Sequence, residues 1–155
     1  MINRLKSIFK GPEPAGPPET VRAFSAGEPT ITRDGVEAEC EGWRINCAEA
    51  RTVRLFEVAD PSAEQCLLTY RARLKTEGAQ GRTYLEMWCR LPGRGEFFSK
   101  GFHHALKGST DWASCETPFL LRKEQRPDLV KLNLVAEGPA TVWIKDVELL
   151  KTALK

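Results

Sequence analysis

The sequence predicts an all-β protein, an antiparallel sandwich or barrel. Three observations carry that expectation. Apolar and polar residues alternate with a period of two over many short segments. Turn-forming dipeptides separate those segments at regular spacing. Beyond the first ten residues, no segment of helical length carries a 3.6-residue period.

In chain order, Met1-Ile-Asn-Arg-Leu-Lys-Ser-Ile-Phe-Lys10 gathers Ile2, Leu5, Ile8 and Phe9 near one helical face, with Arg4, Lys6 and Lys10 around it. This is a short N-terminal helix or disordered leader, and its basic amphipathic character suits peripheral contact with an anionic membrane through residues 1–10. It lacks the apolar centre and cleavage site of a signal peptide. Residues 11–20 hold four prolines and read as a semi-rigid linker, which puts the binding domain at 21–155. Strands are expected at 21–26, 30–31, 42–46, 52–58, 64–75, 82–91, 111–121, 129–136 and 141–150. Breakers lie between them at Asp34-Gly35, Asp60-Pro61, Glu77-Gly78, Pro92-Gly93, Lys107-Gly108 and Arg126-Pro127. The last two strands flank Glu137-Gly138-Pro139-Ala140 and read as a closing β-hairpin.

Composition narrows the function classes. A chain of 155 residues, 41% hydrophobic and 28% charged, suffices for one core of ordinary globular kind. A net charge of +2 without a Lys/Arg block gives no footprint for nucleic acid. No apolar run reaches the length of a transmembrane segment. Cys40, Cys47, Cys66, Cys89 and Cys115 are odd in number and form no CxxC pair, which points to free thiols and a cytoplasmic, reducing setting.

The stretches Trp112-Ala-Ser-Cys-Glu-Thr-Pro-Phe119, Pro127-Asp-Leu-Val-Lys-Leu-Asn-Leu134 and Gly138-Pro-Ala-Thr-Val-Trp-Ile-Lys-Asp-Val-Glu-Leu149 resemble the galactose-binding-like jelly rolls. Within that superfamily the chain is similar to carbohydrate-binding modules that end in a Gly-x-x-Val-Trp-hydrophobic-Asp-Asp-Val strand. Gly42-Trp43 and Cys66-Leu-Leu-Thr-Tyr-Arg-Ala-Arg-Leu74 fit the same strand order. The resemblance implies a two-sheet jelly-roll β-sandwich and a binding role. The superfamily takes sugars, phospholipids, nucleic acids and proteins, so the fold does not select the ligand. Many relatives hold a structural calcium near the last strand. Here Lys145 replaces the first acid of the terminal pair, which leaves Glu37, Glu39 and Asp146 as the acidic set. Calcium takes six to eight oxygen ligands, so no cofactor is expected.

Strand alternation locates a candidate site. Tyr84, Glu86, Trp88 and Arg90 share one side of their strand, Arg71 and Arg73 of theirs, and Lys131 and Asn133 of a third. If these strands share a sheet, they present a tryptophan among planar donors and a carboxylate, a composition suited to carbohydrate or another polar ligand. The alternative is a set of cross-strand ion pairs that keep an exposed sheet soluble. Trp43, Trp112 and Trp143 sit at packing positions. The Gly-punctuated segment 93–108 reads as a loop whose Phe97, Phe98 and Phe102 plug the end of the sandwich. His103-His104 has no metal-site spacing. No nucleophile or phosphate-loop motif is present, and Cys115 with a neighbouring histidine is the only conceivable nucleophile–base pair. The expected function is a non-catalytic carbohydrate-binding module. The alternative is an intracellular protein-interaction domain held at a membrane surface by the leader.

Overall fold

The computed structural model describes residues 13–155, and the leader falls outside them. Nine strands follow in order: β1 (Glu19–Phe24), β2 (Val36–Ala38), β3 (Gly42–Cys47), β4 (Arg51–Ala59), β5 (Cys66–Leu91), β6 (Gly95–Lys100), β7 (Leu106–Leu121), β8 (Leu129–Ala136) and β9 (Ala140–Ala153). One short 3-10 turn, Phe102–His104, separates β6 from β7. All pairings between strands are antiparallel.

The organising element is β5, which spans 26 residues and belongs to both layers of the sandwich. Its residues 66–77 lie between β9 and β7; its residues 83–91 lie between β8 and β6. The first layer therefore runs β2-β3-β9-β5-β7, with β1 also on β9, and the second runs β4-β8-β5-β6. The change of layer falls where the sequence offers Gly78 and Gly81, at φ 64° and 83°. Those values are accessible to glycine without steric cost.

The stretch 137–140 is not a hairpin turn. β8 pairs with β4 and β5, and β9 pairs with β1, β3 and β5, so the turn carries the chain from the second layer to the first. Gln80 N–H donates to the Pro139 carbonyl at 2.9 Å, which ties this turn to the bend of β5. A Cβ on Gly138 would stand 2.1 Å from the Gln80 carbonyl oxygen, so only glycine fits the approach.

Leu68, Leu74, Ile144 and Leu149 of the first layer face Leu85, Met87, Leu132 and Leu134 of the second, all fully buried. Each such side chain contributes about 1.5–3 kcal/mol of burial. Tyr70 is buried among them, and its hydroxyl donates to the Asn133 carbonyl at 3.2 Å, joining the layers through the core. Phe24 stacks on Phe56 at 4.0 Å and Trp43 meets that ring edge-on at 5.4 Å, so Trp43 is core.

Three readings of the segments are corrected. Residues 30–31 form no strand; Ile31 and Thr32 N–H groups instead donate to carbonyls of β4. The supposed loop 93–108 contains β6. Phe97, Phe98 and Phe102 are 44%, 53% and 44% exposed, so none of them plugs the sandwich. All five cysteines are free, four of them buried. Pro14 bridges Leu154, so residues just ahead of β1 run beside the end of β9. Among the described residues no helix is long and apolar enough to cross a membrane.

Candidate functional site

The eight sequence-predicted site residues do not share one surface. Every one of them points away from the core, but the two ends of β5 belong to opposite layers. Arg71 and Arg73 therefore face the exterior of the first layer, while Tyr84, Glu86, Trp88 and Arg90 face that of the second. Lys131 and Asn133 on β8 join the second group, in register with Trp88 and Glu86.

On the second layer, strand register builds rows across the outward face. One row is Arg54, Asn133, Glu86 and Lys100, contributed by β4, β8, β5 and β6. The next is Glu57, Lys131, Trp88 and Phe98. Between these rows lies a recess of about 290 Å³ lined by Thr52, Arg54, Glu86, Trp88, Glu96, Lys131 and Asn133. Although they point outward, Glu86 and Asn133 are each only 6% exposed, so they form its floor. The Asn133 amide donates to Glu86 Oε1 at 3.0 Å, and Lys100 Nζ stands 3.9 Å from Oε2. A carboxylate accepts about four hydrogen bonds, so this pairing leaves lone pairs for a ligand hydroxyl.

The walls are aromatic and charged. Trp88, half-buried, tilts against Phe98 with ring centroids 5.2 Å apart. Tyr84 is buried under Phe102, which meets it edge-on at 4.8 Å, while the Arg82 guanidinium lies 4.1 Å from the Phe102 centroid. Tyr84 is thus packing rather than part of the recess lining, and burial pushes its phenol up. The cations are matched within the site: Lys131 to Glu96 at 2.8 Å and Arg54 to Glu57 at 2.9 Å. Arg90 grips Asp128 through two bonds of 2.8 and 3.2 Å at the rim, and its hydrogen bond holds that carboxyl below the usual carboxylate range. The arrangement suits a hydroxyl-rich ligand: a ring face to stack on, a buried acceptor beneath, and amide and ammonium donors beside it.

The outward face of the first layer holds a larger cavity, about 500 Å³, lined by Arg71, Arg73, His104, Ser114, Glu116, Asp146 and Glu148 among others. Apart from the half-buried Glu148, its polar groups lie open to solvent. Arg71 sits between Glu116 and Glu148 in register, 3.5 Å from the latter. Both aromatic rings already carry cations: Lys145 Nζ lies 4.2 Å from the Trp112 centroid, and Lys75 Nζ 5.3 Å from that of Trp143. Volume favours this face; the buried polar floor, and a tryptophan that no cation covers among the described residues, favour the other.

Two further sequence candidates can be placed. Cys115 is 2% exposed, and burial pushes its thiol up to about 11. His104 Nδ1 accepts the Glu116 backbone N–H at 3.1 Å, so that nitrogen is unavailable as a base. The thiol–histidine pair is therefore not poised for catalysis. Of the acidic set, Glu37 is paired with Arg44, and no three His, Cys, Asp or Glu converge on a metal position among the described residues. The residues present do not fit a calcium site.

Alternation found Glu86, Trp88, Lys131 and Asn133. It missed Thr52, Arg54 and Glu96. Thr52 and Arg54 alternate with the buried Val53 and Leu55, a signal visible in the sequence; Glu96 lies on the unread β6.

No protein-family model matches the chain, and no curated protein matches it. Among solved structures it superposes on the CBM22-1 xylan-binding domain of Paenibacillus barcinonensis Xyn10C with a TM-score of 0.54 and 11% identity, over 91% of this chain and 99% of that one. It also superposes on the CBM22-1–GH10 modules of the Clostridium thermocellum xylanase Xyn10B, solved with xylohexaose, with a TM-score of 0.50 and 11% identity. That match covers 89% of this chain and 26% of the other, so the chain spans about a quarter of the two-module protein. The chain thus has the jelly-roll β-sandwich fold that these carbohydrate-binding modules share.

Proposed function

We propose that this chain is a non-catalytic binding module that takes a carbohydrate in the recess of the second layer. Trp88 is the stacking platform, and Glu86, Asn133 and Lys131 exchange hydrogen bonds with ring hydroxyls. One observation carries the reading: a hydrogen-bonded Glu86–Asn133 pair lies buried on the outward side of a sheet, at the foot of a half-buried tryptophan. A face that served only solubility would leave such groups in water. The fold likeness adds the order of trial, since one neighbour is a xylan-binding domain and the other was solved with xylohexaose. Five unpaired cysteines suit a reducing compartment such as the cytoplasm.

Titration calorimetry against xylohexaose and a panel of neutral and acidic oligosaccharides tests the proposal. At least one glycan should bind, and Trp88→Ala should weaken it at least tenfold. Equal heats for Trp88→Ala and wild type would remove the recess from consideration.

A further inference from the structure

We infer that β6 is a self-association edge, and that two copies of this chain pair through it into one continuous sheet. The open edges elsewhere are blunted in the ways sheet proteins use against such pairing. On β4 the edge is covered by the Ile31 and Thr32 N–H groups. β7 carries Pro118, and its Glu116 N–H is held by His104. β2 has three residues, and β1 is irregular between Thr20 and Arg22. β6 has no covering segment, proline or irregular register; its charges, Glu96 and Lys100, are of opposite sign. It pairs only with β5 among the described residues and exposes Phe97 and Phe98 on its two sides.

The register follows from hydrogen-bond parity. Gly101 N–H donates to the Leu85 carbonyl at 2.8 Å, which makes Gly101 and Leu85 a bonded pair in the β5–β6 ladder. Bonded and non-bonded pairs alternate in an antiparallel ladder, so Glu96, Phe98 and Lys100 turn their N–H and C=O groups to the free edge. A symmetric antiparallel pairing centred on Phe98 sets it against the partner's Phe98 and sets Glu96 against the partner's Lys100, twice. That register offers three bonded pairs and two opposite-charge pairs. Centring on Phe97 would instead put Glu96 against the partner's Phe98. The charges select the first arrangement.

The two-fold axis of such a dimer is perpendicular to the sheet, so both outward faces lie on the same side. Phe98 is opposite Trp88, and the pairing therefore aligns Trp88, Phe98, the partner's Phe98 and the partner's Trp88 in one row. At strand spacing that row spans about 14 Å between its end strands. The dimer does not depend on the ligand reading; if that reading holds, the two recesses share one platform for a polymer.

Sedimentation equilibrium tests the inference. Wild type should approach twice the 17.4 kDa chain mass as its concentration rises toward millimolar. Glu96→Lys and Lys100→Glu each set like charges across the axis and should weaken the dimer at least tenfold alone. An equimolar mixture of the two should recover it. Phe98→Lys breaks no ion pair within the chain and should be monomeric with an unchanged circular dichroism spectrum. A monomeric wild type, a dimeric Phe98→Lys, or folded charge variants whose mixture is no heavier than either alone would each overturn it.

Discussion

The two outward faces have nearly the same composition and opposite prospects. Each shows tryptophan, arginine, lysine and glutamate in alternating positions. On the first layer the rings of Trp112 and Trp143 are covered by the molecule's own lysines, and Arg71 stands between the exposed Glu116 and the half-buried Glu148. On the second, Glu86 and Asn133 are sunk beneath the surface, and among the described residues no cation covers Trp88. Residue type does not make a site. What separates the faces is which groups are already satisfied by neighbours and which are desolvated with capacity left over.

The sharpest way to break this comparison is on binding. Trp88→Ala should lower glycan affinity at least tenfold, whereas Trp143→Ala should leave it unchanged; calorimetry on both variants reads the difference. Next in size is stability. Glu86→Leu strands the Asn133 amide and should cost about 1–3 kcal/mol, while Glu116→Leu on the exposed face should stay within about 0.5 kcal/mol, both by urea denaturation. Tyr70→Phe removes the hydrogen bond that joins the layers and should cost about 1 kcal/mol. The rim adds a weaker, pH-dependent contribution. Asp128 and Glu137 are held below the usual carboxylate range by hydrogen bonds from Arg90 and Arg82. A depressed folded pKa gives stability that is present above the unfolded value near about 4 and is lost as pH falls through the folded one. Asp128→Asn with Glu137→Gln should therefore flatten the acid limb of the urea midpoint against pH. The smallest effect belongs to Arg71→Ala, within about 0.5 kcal/mol, because its ion pair is long and 48% of the arginine is exposed.

What the sequence disclosed and what it withheld divide along local and non-local lines. Period-two alternation is local, so β8 is found residue for residue and the outward residues of 66–75, 82–91 and 129–136 are identified. Trp112 and Trp143, read as packing, are instead half-buried under lysines. Partner choice is not local. Nothing in residues 66–91 announces that their two ends pair with different strands, so Arg71 and Arg73 are grouped with residues that look the opposite way. The same blindness turns the 137–140 connection into a hairpin, although the two flanking strands both choose β5. β6 was hidden by its own chemistry: glycines at its start and adjacent exposed phenylalanines imitate a loop. Half of the recess was legible because its residues sit at alternate positions on regular strands. The buried state of Glu86 and Asn133, on which the proposal rests, comes from tertiary packing.

The position of β5 in both layers also governs how the chain can acquire its structure. Neither layer is complete until β5 has met a partner far along the chain: β8 from residue 129 for one and β9 from residue 140 for the other. Contacts of such sequence separation must overcome loop-closure entropy before they yield stability, which makes folding slow. During synthesis, β1 to β7 emerge with only one of the two flanks of each half of β5, β7 for the first and β6 for the second. Until β8 and β9 arrive, β4 and β1 have no strand partner, and unpaired edges of that kind are open to premature association.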